Sequence, residues 1–306
     1  MDLKDKARYI PILIALILIS GLFTVLIRNN NLIDQSNEPP NDQANPPEQQ
    51  QVNTGVTLQG EEISGKTKEE LANIITQLAQ KEKTKPKNSF IFKEVIISEQ
   101  FGQKIDIPAT IKRVLTAEPG TDVQFVTKKI PPTITAEKLK EKQYFEIEVE
   151  DEIITGKVLS NYTTYLENNQ TNRRKNIELS LQEIDQYQLN KAEEFSFNQL
   201  VGSPTASKGY KEAPIIDSGE YSSAIGGGIC QVSSTLYNAV DQAQLKVTEH
   251  HHHSKPVNYV PTGQDATVFP PVKDFRFVNN KESELMILTD LIDRYVVIYL
   301  IQLQKT

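Results

Sequence analysis

Ile10 to Ile27 (IPILIALILISGLFTVLI) is an unbroken apolar run without a charge. As a helix it spans roughly 27 Å, close to the hydrocarbon thickness of a bilayer. It is apolar on every side, unlike a surface helix with one buried stripe. Lys4, Lys6 and Arg8 precede it and Arg28 stands alone after it. The positive-inside bias therefore predicts a cytoplasmic N-terminus and an external remainder, a single-pass cell-membrane protein. A cleaved signal peptide would have a shorter apolar core ending in small residues, whereas this run ends in VLIRNNN, which reads as an uncleaved anchor.

Residues 29–53 are rich in Asn, Gln, Glu and Pro. Such a stretch cannot bury enough surface to offset its ordering entropy, and it reads as a disordered, solvated tether. Folding is expected from residue 54 onward. The formal net charge of −7, with no basic stripe, argues against a nucleic-acid partner, which would need a cationic face to displace counterions. A single cysteine excludes an internal disulfide and any multi-cysteine zinc site.

Two α+β regions are expected after the tether. In residues 54–157, Thr67-Lys68-Glu69-Glu70 fits a capping box. Leu71, Ile74, Ile75, Leu78 and Ala79 follow at helical spacing. Residues 89–98, 104–107, 122–127 and 142–149 read as strands. In residues 158–306, Ile177, Leu181 and Ile184 mark a helix, and Glu194 to Asn198 reads as a strand. Residues 285–291 and 295–303 read as a C-terminal hairpin around Asp293-Arg294. The architecture expected for this region is a cysteine-led helix packed on a mainly antiparallel sheet.

The chemistry-bearing stretch is AIGGGICQVSSTLYNA, Ala224 to Ala239. Val232, Leu236, Ala239, Val240 and Ala243 repeat at helical spacing, so the helix should begin near Cys230. A cysteine there sits among unpaired backbone N–H groups at the positive end of the dipole, which favours thiolate. Gly226, Gly227 and Gly228 allow close backbone approach or positive φ, and N–H groups there suit an oxyanion. Gln231 to Ala243 would carry the chain about 20 Å away. Val247 to His253, if extended, returns about 23 Å. Alternation then puts His251 and His253 on one face and His250 and His252 on the other, so one pair can meet the sulfur. Against this stand a cysteine that is merely a small buried residue and a histidine pair that shares a metal with Glu249 or Asp265. The latter lacks a third and fourth ligand at diagnostic spacing.

Several motifs recur in order: Asn172-Arg173-Arg174, Glu194 to Asn198, Gly209 to Pro214, Gly226 to Ala239, and His251-x-His253-Ser254-x-Pro256-Val257. Tyr259-Val260-Pro261, Gly263-x-Asp265-Ala266-Thr267-Val268, Asp274 and Phe277 follow. Over about residues 160–280 they closely resemble the VanW family, found in some vancomycin-resistance gene clusters and on many Gram-positive surfaces. His251 and His253 match family histidines, whereas His250 stands for an arginine and His252 for a proline. Residues 56–78 resemble the opening of a peptidoglycan-binding-like domain that often precedes VanW.

The resemblance implies an anchored protein facing peptidoglycan. Two functions follow. In the first the protein binds peptidoglycan or its peptides, through Asn172, Arg173, Lys211, Gly227, Gly228, Gln231 and Ser254. In the second it is a thiol hydrolase or acyltransferase on wall peptides. Cys230 is then the nucleophile, His251 or His253 the base, and Asp265 the group that orients the imidazole. The expected partners are the wall polymer and, through residues 10–27, the bilayer. No cofactor and no metal are expected.

Overall fold

The computed structural model describes residues 50–304 apart from 168–169 and 218–219. The anchor expected at residues 10–27 and nearly all of the tether lie outside the described residues. No helix within them is long and apolar enough to cross a membrane. The folded part takes in residues ahead of 54, the start expected from the sequence. Val52 is 4% exposed in the core, and Gln51 bridges to Thr67, because Val52 is the one apolar side chain at the end of the polar stretch.

In chain order the elements are β1 (Thr57–Leu58), β2 (Glu61–Glu62), α1 (Lys68–Glu82), β3 (Phe90–Phe92), β4 (Val95–Ile97), β5 (Gly102–Ile105), α2 (Ile107–Leu115), β6 (Asp122–Val123), β7 (Thr127–Ile130) and α3 (Ala136–Glu141). They continue as β8 (Phe145–Val149), β9 (Glu152–Tyr165), α4 (Thr171–Ile184), β10 (Gln188–Leu189), β11 (Glu194–Ser196), α5 (Phe197–Val201), β12 (Glu212–Asp217) and β13 (Glu220–Ile225). The chain ends in α6 (Ile229–Gln242), β14 (Lys246–Glu249), β15 (Arg276–Val278), β16 (Leu285–Ile292) and β17 (Tyr295–Leu303). The fold class is α+β.

The expected capping box opens α1. Glu70 N donates to Thr67 Oγ1 at 3.3 Å, and Thr67 N donates to Glu70 Oε2 at 2.9 Å. Leu71 and Ile75 are fully buried beneath it, against α2 and β1. The single strand expected over residues 89–98 is instead the β3–β4 hairpin. Lys93 and Glu94 form its turn, both with positive φ, a geometry that matches strand twist but that neither residue type advertises.

A five-stranded antiparallel sheet of order β10-β16-β17-β9-β8 organises the rest. Both faces of β17 are covered, which explains its continuous apolar sequence. Val296, Ile298 and Leu300 face α4 and α6, while Val297, Tyr299 and Ile301 face β3, α3 and β8. The boundary expected at residues 157–158 therefore falls inside β9, whose partners are β8 on one side and the C-terminal hairpin on the other. Gly156 is mid-strand in β9. A Cβ there would sit 2.5 Å from Ile301 Cγ2, so the glycine lets the neighbouring strand pack close.

Helix α6 lies on the inner face of β9 and β17. Val232, Leu236, Ala239 and Val240 are fully buried. Its register on β9 is fixed by polar contacts: Ser160 Oγ donates to Ala239 O at 2.7 Å, and the Thr164 and Thr235 hydroxyls are 2.8 Å apart. The C-terminal hairpin turns at Asp293-Arg294, as the sequence predicts.

Candidate functional site

Three glycines turn the chain from β13 into α6. Gly228 is the N-cap with φ of 112°, and no side chain caps the helix. A Cβ on Gly227 would stand 2.4 Å from Ala213 O, so only glycine permits the turn to press against β12. Buried Asn176 of α4 secures it. Its Nδ2 donates to Lys211 O and Gly227 O at 2.8 and 2.9 Å, and its Oδ1 accepts from Lys211 N at 2.7 Å. Cys230 is thus the second residue of α6, half-buried, where helix N–H groups lack intrahelical acceptors.

After α6 the chain does return, but not as one strand through residue 253. β14 ends at Glu249, opposite Arg276, where its partner β15 begins, so residues 250–253 have no strand to pair with. The expected alternation of the four histidines is therefore lost. His250 stacks on Tyr237 with centroids 4.1 Å apart, and its Nε2 lies 2.7 Å from Asp265 O. His251 turns to Glu249, with Nε2 2.9 Å from Oε1. His252 is largely exposed, with Nδ1 3.1 Å from Asp265 Oδ1. Of the four, only His253 is coupled to the sulfur: its ring lines the same cleft as Cys230, and each group favours the charged form of the other. His251, the other sequence candidate for the base, instead joins a support network. In that network Glu249 Oε1 accepts from Asp274 N at 2.9 Å, and Arg276 Nε donates to Asp274 Oδ2 at 2.9 Å.

Asp265 completes the arrangement. Its Oδ2 lies 2.6 Å from His253 Nδ1 and accepts from His253 N at 2.7 Å. With Nδ1 so engaged, Nε2 is the nitrogen left for the sulfur. The His253 and Asp265 side chains are only 8% and 9% exposed. Helix α6 itself holds the loop that presents Asp265. Ser233 Oγ donates to Ala266 O at 2.6 Å, Ala266 N donates to Ser234 Oγ at 2.8 Å, and Asn238 Nδ2 donates to Gln264 O at 2.7 Å. Cys230 Sγ also lies 3.6 Å from both Thr267 Oγ1 and Val268 O. Sequence reasoning missed Ser233, Ser234, Asn238 and Thr267. The signal available was the polar residues at positions 233, 234 and 238, which share one side of the helix.

The electrostatics follow from this packing. Burial pushes the Cys230 thiol up, but the His253 hydrogen bond and charge, with the Thr267 hydroxyl, outweigh it and hold Cys230 below its ordinary value. Burial pushes His253 down, but Cys230 and Asp265 outweigh that and hold it above its ordinary value. The two shifts favour a thiolate beside an imidazolium. Asp265 is buried, which raises it, yet the His253 N–H and ring and the His252 ring bring it below the usual carboxylate range.

Cys230 and His253 open onto a cleft of about 830 Å³. Of the sequence-predicted binding residues, Arg173, Gly228, Gln231 and Ser254 line it. Asn172, Lys211 and Gly227 are not on its wall. Asn172 Nδ2 donates to Glu212 O at 3.0 Å, the Lys211 backbone is tied to Asn176, and Gly227 packs under β12. All three steady the glycine turn from behind. Tyr259 and Thr267, not singled out by sequence, join the lining. Among the described residues no group of three or more His, Cys, Asp or Glu side chains is arranged to hold a metal ion.

A cysteine at a helix start, an imidazole on the sulfur and a carboxylate behind the imidazole define a domain with the layout of a thiol acyl-transfer site. The family model described as "VanW like protein" matches residues 172–301, and this part of the chain is a VanW-family domain. The protein YoaR of Bacillus subtilis (strain 168), itself described as uncharacterized, is 48% identical over 134 residues. The match covers 44% of this chain and 44% of that protein, so the chain spans less than half the length of this curated relative. No solved structure matches the chain.

Proposed function

We propose that the chain is a membrane-anchored, cysteine-dependent hydrolase or acyltransferase acting on peptides of the cell wall. The observation that supports the chemistry is the Cys230–His253–Asp265 relay at the cleft wall, with 2.6 Å between His253 Nδ1 and Asp265 Oδ2. The Cys230 thiolate attacks a carbonyl carbon, an S–C bond forms, and the amide C–N bond breaks. His253 gives its proton to the departing amine. Water or a second amine then attacks the thioester, returns a proton to His253 and releases the thiolate. Asp265 holds the ring so that Nε2 faces the sulfur throughout. The wall as the site of action rests on the VanW likeness, and the anchor rests on residues 10–27.

Binding of the wall polymer is assigned to residues 54–157, on the likeness of residues 56–78 to a peptidoglycan-binding-like domain. The full chain carrying Cys230→Ala tests both parts. We expect altered muropeptide profiles with unchanged retention on purified sacculi. Unchanged muropeptides together with a wild-type thiol inert to iodoacetamide would remove the enzyme and leave a binding protein.

A further inference from the structure

We infer that the peptide attacked by Cys230 ends one residue beyond the scissile bond, and that Arg173 binds its free α-carboxylate. This rests on the thiol chemistry proposed above. Arg173, in the first turn of α4, lines the cleft next to the start of α6. Its Nη2 donates to Gln231 Oε1 at 2.8 Å. That oxygen belongs to a neutral amide whose orientation is fixed, because Gln231 Nε2 donates to Thr164 Oγ1 at 3.1 Å and to Tyr165 O at 3.2 Å. The guanidinium is thus positioned without being neutralised. Its neighbour Arg174 has a carboxylate, Glu178, at 3.0 Å, whereas among the described residues none stands within ion-pair reach of Arg173. Glu167, the one carboxylate on the cleft wall among the described residues, takes Asn258 Nδ2 instead.

A guanidinium cannot shed its charge, so a cation withdrawn from water in this way calls for an anion. The Cys230 thiolate acts on Arg173 from across the α6 start, but it is already paired with His253. Lys273 adds a second positive group to the wall. The fork of N–H donors left on Arg173 suits a carboxylate held by two parallel bonds. The Arg173 side chain packs so close to the helix start that a Cβ on Gly228 would lie 3.1 Å from its Cγ. Arg173 and Cys230 line the same cleft, at the starts of α4 and α6, and the sulfur acts on the guanidinium electrostatically, so a carboxylate bound there brings the end of a peptide beside the sulfur. Acylation therefore releases the last amino acid: the S–C bond forms, the C–N bond to that residue breaks, and its amine leaves with the His253 proton. Water or an acceptor amine then resolves the thioester.

The test compares two alkylating probes on the full chain in detergent. Iodoacetate carries the carboxylate, and iodoacetamide is its neutral counterpart. We expect the ratio of iodoacetate to iodoacetamide rates at Cys230 to drop about tenfold in Arg173→Gln and to recover in part in Arg173→Lys. In the unaltered protein, N-acetyl-alanyl-alanine of one handedness should protect Cys230 from iodoacetamide, and its C-terminal amide should not. An unchanged ratio, equal slowing of both reagents, or equal protection by acid and amide would overturn the carboxylate site while leaving the reactive thiol standing. A thiol inert to both reagents would instead overturn the chemistry on which the inference depends.

Discussion

The interior beneath α1 and α2 is almost wholly hydrocarbon. Val56, Leu58, Leu71, Ile75 and Val114 fill it, and Thr110 is its buried hydroxyl. The interior around α6 is different: Asn176, Gln231, Ser233, Ser234, Thr235, Asn238 and Asp265 are all buried there, beside Val232 and Leu236. Apolar contact is non-directional and tolerates exchange of one side chain for another of similar size. Hydrogen bonds fix distances, and a buried polar group left unpaired is costly. The first region therefore needs only to be compact, whereas the second must hold particular atoms in particular places. The reactive groups lie in the second.

Each of the following changes tests that contrast, in order of expected effect on the thiol. Cys230→Ala should abolish labelling by iodoacetamide altogether. Asp265→Asn should slow it about a hundredfold near neutral pH, because the imidazole loses its orienting charge. The pH profile of labelling carries a sign. Cys230 is lowered and His253 raised, so the thiolate is present below the ordinary thiol range of about 8.5 and disappears as pH falls through the depressed Cys230 value. His253→Ala should move the profile up toward that ordinary range.

Gly227→Ala should cost about 2 kcal/mol in denaturant unfolding, since the added carbon meets the Ala213 carbonyl, and should slow labelling with it. His251→Ala should change labelling less than about twofold, since that ring contacts Glu249 rather than the sulfur. Leu71→Ala should cost about 3 kcal/mol yet leave the labelling rate of the folded protein unchanged. A large effect of Leu71→Ala on labelling would erase the distinction between the two interiors.

The periodic features of the fold were legible in the sequence. The Thr67–Glu70 box, the apolar spacing of α4 and α6, and the Asp293-Arg294 hairpin each depend on neighbours a few residues apart. The Lys93-Glu94 turn and the run of β9 through Gly156 were not, because each is decided by a partner strand rather than by local residue type. At the site, the helix start at Cys230 could be read from the glycines and the apolar period. The meeting with His253 could be estimated from lengths, but the choice of His253 over His251 could not. Strand alternation failed because β15 begins at Arg276 and leaves residues 250–253 unpaired. Lys211 and Asn172 looked like binding groups because they lie within motifs, yet Lys211 is held through its backbone by the Asn176 side chain and Asn172 donates to the Glu212 carbonyl behind the turn.

Helix α6 carries the sulfur at its first turn and, through Ser233, Ser234 and Asn238, grips the segment bearing Asp265. Both ends of the relay therefore travel with one rigid rod. A shift of that rod against the sheet moves nucleophile and carboxylate together and leaves their spacing untouched, so the reactive geometry is insulated from jostling elsewhere in the molecule.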